Sequence, residues 1–160
     1  AYSVLQAILL SACAQLNIDN REIAGCLQYC SAGIFYYILY DTTPGGAGHV
    51  KRLNSHAMLT AILQGAYRRA KFCDCGGEKG DSSCYSCLRT YENQRHHDMI
   101  KRKYVVEYLE GVNDMEKWES AKAANLMICR LNCIRKTCGL SAGFLMQKEA
   151  VLFTARLLQF

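Results

Sequence analysis

Cys73-Asp74-Cys75-Gly76-Gly77-Glu78-Lys79-Gly80-Asp81-Ser82-Ser83-Cys84-Tyr85-Ser86-Cys87 carries two cysteine pairs at chelate spacing around a polar, glycine-rich gap. Four thiolates folded together suit a tetrahedral Zn²⁺ ion, which takes four ligands in a closed structural site. Gly76, Gly77, Gly80, Asp81, Ser82 and Ser83 suit the tight return between the pairs, since glycine reaches positive φ without strain. We read Cys73, Cys75, Cys84 and Cys87 as a structural zinc staple. With cysteine at all four positions no coordination site is left open, which argues against catalysis by the metal. A redox dithiol at Cys84-Tyr85-Ser86-Cys87 is the weaker alternative, because no βαβ pattern opens there.

Outward from the staple, the chain has 160 residues, 51% hydrophobic and 21% charged. That is the composition of one globular domain with a core of its own. The net charge of +5 fits either a solvated surface or a face for a polyanion. Ten cysteines in a secreted chain would suggest a disulfide framework. Here six lie in apolar or helix-like contexts, which favours free thiols in a reducing, cytoplasmic compartment. Leu10-Ser11-Ala12-Cys13 resembles a lipoprotein processing site, but no basic segment precedes it. Val4, Leu5, Ile8, Leu9, Ala12 and Leu16 instead make a helical stripe. No apolar run is long enough to span a membrane. The opening inside a helical pattern suggests a piece of a larger protein.

Periodicity predicts a helix over 2–16, broken by Asn17, Asp19 and Asn20, and the short, ambiguous run over 23–29 is read as a strand. Ile34-Phe35-Tyr36-Tyr37-Ile38-Leu39-Tyr40 is a continuous run of aromatic and aliphatic residues, as in a buried central strand. A second amphipathic helix is expected from Val50 to about Arg69. Further helices are expected over 88–94 and 98–110, the latter with Ile100, Tyr104, Val105, Tyr108 and Leu109 on one face. Beyond Gly111 periodicity is weak and glycines recur. We divide the chain into a zinc-binding domain at 1–111 and an unassigned helical tail at 112–160. Cys129, Cys133 and Cys138 lack an evident fourth ligand and read as core thiols.

The loop Asp41-Thr42-Thr43-Pro44-Gly45-Gly46-Ala47-Gly48 joins a strand to a helix, a geometry that presents backbone N–H groups to an anion. It lacks the Gly-Lys-Ser/Thr ending of a nucleotide phosphate loop. A tight turn, with at least one glycine at positive φ, and a nucleic-acid phosphate contact are the two readings left. Lys51 and Arg52 in the next helical turn favour the contact. Arg95, Lys101, Arg102 and Lys103 form the densest basic cluster. The phosphate-binding candidates are therefore Gly45, Gly46, Gly48, Lys51, Arg52, Arg95, Lys101, Arg102 and Lys103. His96 and His97 have no visible nucleophile to serve.

Together, Leu39 to Gly48, the Cys-x-Cys and Cys-x-x-Cys pairs, and Tyr91-Glu92-Asn93-Gln94 resemble the MZB domain. This is the C-terminal zinc-binding domain of MrfA-type DEAD/DEAH-box helicases, with a relative in a component of the DISARM phage-defence system. The resemblance spans about 1–111. It implies Cys73, Cys75, Cys84 and Cys87 as zinc ligands, a role in DNA repair or defence, and partnership with separate helicase motor domains. The sequence holds neither a Walker A segment nor an Asp-Glu-x-His box, so the chain alone should not hydrolyse ATP.

We expect an α+β fold: a small sheet, flanking amphipathic helices and a zinc-stapled loop. Its expected job is accessory, helping a helicase hold or separate DNA through sequence-independent phosphate contacts. The alternative is a protein-interaction module of a phage-defence complex with no DNA contact of its own.

Overall fold

The computed structural model describes residues 1–29, 34–110 and 150–156. The architecture is α+β, a three-stranded antiparallel sheet against a layer of helices. Helix α1 spans Tyr2–Leu16 and ends on Asn17, whose left-handed φ of 55° lets the Asn17 and Ile18 N–H groups turn back onto the Ala14 and Cys13 carbonyls. Strands β1 (Ile23–Tyr29) and β2 (Ile34–Asp41) follow, where the apolar pattern predicts them.

The β2 strand is central, with β1 on one side and β3 (Ala150–Arg156) on the other. Ile38 lies opposite Cys26 in one register and Leu152 in the other. Tyr37, Ile38 and Leu39 are all buried, although alternate side chains of a strand face opposite ways. Burial on both faces is why this segment reads as an unbroken apolar run. The β3 strand is a departure from the expected helical tail. Seven of its residues complete the sheet across the boundary drawn at 111. Cys129, Cys133 and Cys138 lie outside the described residues.

The single helix expected over 50–69 is two. Helix α2 (His49–Arg52) stops at Leu53, and α3 (His56–Lys71) starts afresh from Ser55. Ser55 is extended, and its Oγ accepts the Met58 N–H at 3.2 Å, an N-cap that outweighs continuation. Helix α4 spans Arg102–Glu110, four residues shorter than expected. The helix expected over 88–94 is absent. There the Asn93 side chain accepts the Thr90 N–H at 2.9 Å and donates to the Leu88 carbonyl at 2.9 Å, while Thr90 Oγ1 accepts the Asn93 N–H. Such local bonds offer the backbone an alternative to the helical ladder. Only a 3₁₀ turn, Gln94–His96, forms.

Helix α1 is the hub. Besides Val4, Leu5, Ile8, Ala12 and Leu16, it buries Ser3, Ala7, Leu10, Ser11 and Cys13, because β1, α3 and α4 all pack on it. Its buried hydroxyls are satisfied: Ser11 Oγ donates to the Ile62 carbonyl at 2.7 Å, and Ser3 Oγ accepts the Lys101 N–H at 3.1 Å. Leu39, Leu59, Ile62, Leu88, Ile100, Val105 and Leu109 complete the core, each contributing on the order of 1.5–3 kcal/mol. Tyr104, expected on the inward face of α4, is exposed. Cys13 is a free buried thiol, pushed up to about 11 first by burial and then by Asp19 and Glu22. Cys26 departs from the free-thiol reading: it is disulfide-bonded. Among the described residues no helix is long and apolar enough to cross a membrane.

Candidate metal centre

Helix α3 delivers the first cysteine pair and a tight knuckle delivers the second. The Cys84 carbonyl accepts the N–H groups of Cys87, Leu88 and Arg89 at 2.9–3.1 Å, which folds 84–89 into a compact turn. The Cys84 N–H also points at Cys87 Sγ, 3.1 Å away. The return loop needs its glycines. Gly76 has φ 77°, and a Cβ there would lie 2.7 Å from the Ser82 nitrogen. No other residue fits without moving backbone.

The four sulfurs converge. Cys73 Sγ lies 3.4 Å from Cys75 Sγ and 3.5 Å from Cys84 Sγ, and Cys87 Sγ lies 3.6 Å from Cys75 Sγ and 3.8 Å from Cys84 Sγ. All four ligand atoms are within 4.8 Å of one another. Zn–S bonds of about 2.3 Å give a tetrahedron with edges of about 3.8 Å, so the cluster is sized for zinc. Burial raises the Cys75 thiol, and its hydrogen bonds with Cys73 and Cys87 add to the effect. Cys84 goes the other way. Against the upward push of burial, the Cys73 thiol and the Ser86 and Cys87 backbone N–H groups hold it down to about 6. Donor identity, count and spacing make a closed structural zinc site.

Arg102 braces this centre. It was expected on a phosphate-binding face, but it is 8% exposed. Its Nε donates to the Cys75 carbonyl at 2.6 Å, and its Nη2 donates to the Gly77 carbonyl. The loop answers at the start of α4. There the Arg102 and Lys103 N–H groups, which a helix N-terminus leaves without partners, donate to the Ser82 and Gly80 carbonyls at 3.1 Å. Lys103 pairs with Asp81, and Ser83 Oγ donates to the Ile100 carbonyl at 2.6 Å. Two of the expected phosphate contacts are thus turned to the zinc loop.

Three donors at the glycine-rich loop are also engaged within the fold. Gly45, Gly46 and Gly48 all have positive φ, as a tight turn requires. However, the buried Asp41 carboxylate accepts the Gly48 N–H at 2.8 Å and the Val50 N–H at 3.1 Å. The Gly46 N–H goes to the Thr43 carbonyl. An internal carboxylate occupies the place offered to a phosphate. Asp41→Ala should therefore cost about 2–3 kcal/mol in urea unfolding, the scale of a lost charged cap. Wild-type stability would show that the loop holds without it.

Of the remaining candidates, Lys51, Arg52 and Arg95 are exposed and Lys101 is half-buried. His97 is structural. Its Nε2 faces two acceptors, the Thr90 carbonyl at 3.1 Å and Asn93 Oδ1 at 2.9 Å, so that nitrogen carries the proton. Asn93 in turn donates to Gln6 of α1, tying the knuckle to the core.

No curated protein and no solved structure matches the chain. A family model does, over residues 4–88, from the first turn of α1 to the residue after the last zinc ligand. The match is shorter than the resemblance over 1–111 and leaves out Tyr91-Glu92-Asn93-Gln94 and α4. It still covers more than half of the chain and all four cysteines, so the chain belongs to the MZB family, the MrfA Zn-binding domain.

Proposed function

We propose that the chain is an accessory domain of a DEAD/DEAH-box DNA helicase that helps hold DNA during repair or defence. The observation that carries this reading is the family match, which takes in all four cysteines of a closed tetrathiolate site. Such a metal supplies rigidity rather than chemistry. The domain presents side chains at fixed positions while separate motor domains hydrolyse ATP. Contact with DNA is through phosphates, by cations such as Arg52, Arg95 and Lys101, and is independent of sequence.

Salt dependence tests it. Binding of the zinc-loaded chain to unrelated DNA sequences should weaken alike as salt rises. Charge reversal of Lys101 and Arg95 should lower the slope of log K against log salt by about 0.7–0.9 per lost contact. Unchanged affinity and slope would favour the second reading, an interaction module of a DISARM-type complex without its own DNA contact. One observation speaks for that reading: Arg102 and Lys103 are engaged within the fold.

A further inference from the structure

The zinc staple carries large apolar side chains on its outside. Phe72, which precedes the ligand Cys73, is 78% exposed, and Tyr85, which follows the ligand Cys84, is 67% exposed. The two rings flank ligands whose sulfurs are 3.5 Å apart, so one corner of the metal centre fixes both backbones. Tyr85 is further held by the edge of His97, with ring centroids 5.5 Å apart and planes at 84°. His97 is itself locked by Thr90 and Asn93.

Cations accompany the rings. Arg68 and Arg69 are exposed on the last turn of α3, three and four residues before Phe72, and so share its side of the helix. Aromatic faces held rigidly beside arginines are what single-stranded nucleic acid uses. Bases stack on the rings and backbone phosphates meet the guanidinium groups. A duplex hides its base faces and has no use for them. The arginines beside Phe72 supply the positive charge that a phosphate backbone pairs with.

We infer that Phe72 and Tyr85, with Arg68 and Arg69, form a stacking surface for single-stranded DNA on the outer side of the zinc centre. This rests on the DNA-contact reading above and names the form of DNA and the residues that take its bases. Tyr91 supplies a control. It is 75% exposed, but its neighbour is the exposed acid Glu92.

The test is fluorescence anisotropy of the zinc-loaded chain with a short labelled thymine oligonucleotide, an abasic oligonucleotide of equal length, and a duplex. Phe72→Ala and Tyr85→Ala should each weaken thymine-strand binding by about fivefold or more, the scale of one lost base stack. Phe72→Trp should restore it, and Tyr91→Ala should leave it unchanged. The abasic strand should bind weakly and be indifferent to every ring variant. Both rings are largely in solvent, so unchanged zinc content and circular dichroism should confirm folding. Equal binding of the abasic and thymine strands, or alanine variants that bind like the wild type, would overturn the stacking surface while leaving phosphate contact standing. Absence of binding to all three DNAs, even at low salt, would overturn the DNA reading and the stacking surface with it.

Discussion

Cys87→Ala should abolish stoichiometric zinc binding and unravel the segment from Phe72 to Lys103. Cys87 is fully buried, and its sulfur contacts those of Cys75 and Cys84. Removal leaves three ligands and a gap beneath the knuckle. Structural zinc contributes on the order of 10 kcal/mol to small metal-dependent folds, comparable with the whole stability of a domain. The expected result is a large fall in the unfolding midpoint. Rapid hydrogen exchange from 73 to 103 should accompany it, since the loop gives α4 two of its N-terminal acceptors. Acid should act in the same direction, because protons compete with zinc for thiolates. A Cys87→Ala chain that keeps wild-type exchange protection over 73–103 would show that the loop folds without its metal.

Arg102→Met should strongly destabilise the zinc loop. Methionine can fill the apolar part of the site but cannot bond the Cys75 and Gly77 carbonyls. Hydrogen bonds from a charged donor contribute about 1.5–3 kcal/mol each, so a loss of about 3 kcal/mol or more is expected. Zinc affinity, measured by competition with a chelator, should fall as well, because the lost bonds hold the loop between the two cysteine pairs. Arg102→Lys should recover only part, since one ammonium lacks the planar fork that spans two carbonyls. Arg95→Met is the comparison: Arg95 is exposed, and its loss should leave stability unchanged. Equal effects at the two positions would remove Arg102 from the brace.

What could be read from the sequence follows the range of the interactions involved. Helix α1 was legible from its helical apolar period, and β2 from the continuous apolar run that burial on both faces produces. The four zinc ligands were legible because chelation fixes their spacing. Arg102 was misread because it sits in Lys101-Arg102-Lys103, which looks like a solvated run. A signal was present: Arg102, Val105 and Leu109 fall on one helical stripe, and all three are buried. Asp41 stands in the sequence only as the residue between strand and loop. Its capping of Gly48 and Val50 depends on the path of the intervening loop, which no local pattern encodes. The breaks at Ser55 and Asn93 came from side chains bonding nearby backbone, against an apolar pattern that suggested helix. The β3 strand was hidden because it pairs with a partner more than a hundred residues away.

Cys73, Cys75, Cys84 and Cys87 hold one structural zinc. Elemental analysis of the purified chain, with thiol titration before and after chelation, tests it most directly. The expected result is one zinc per chain, and four thiols that become reactive only when the metal is removed. Zinc-free protein with the same fold and all four of these thiols freely titratable would contradict it.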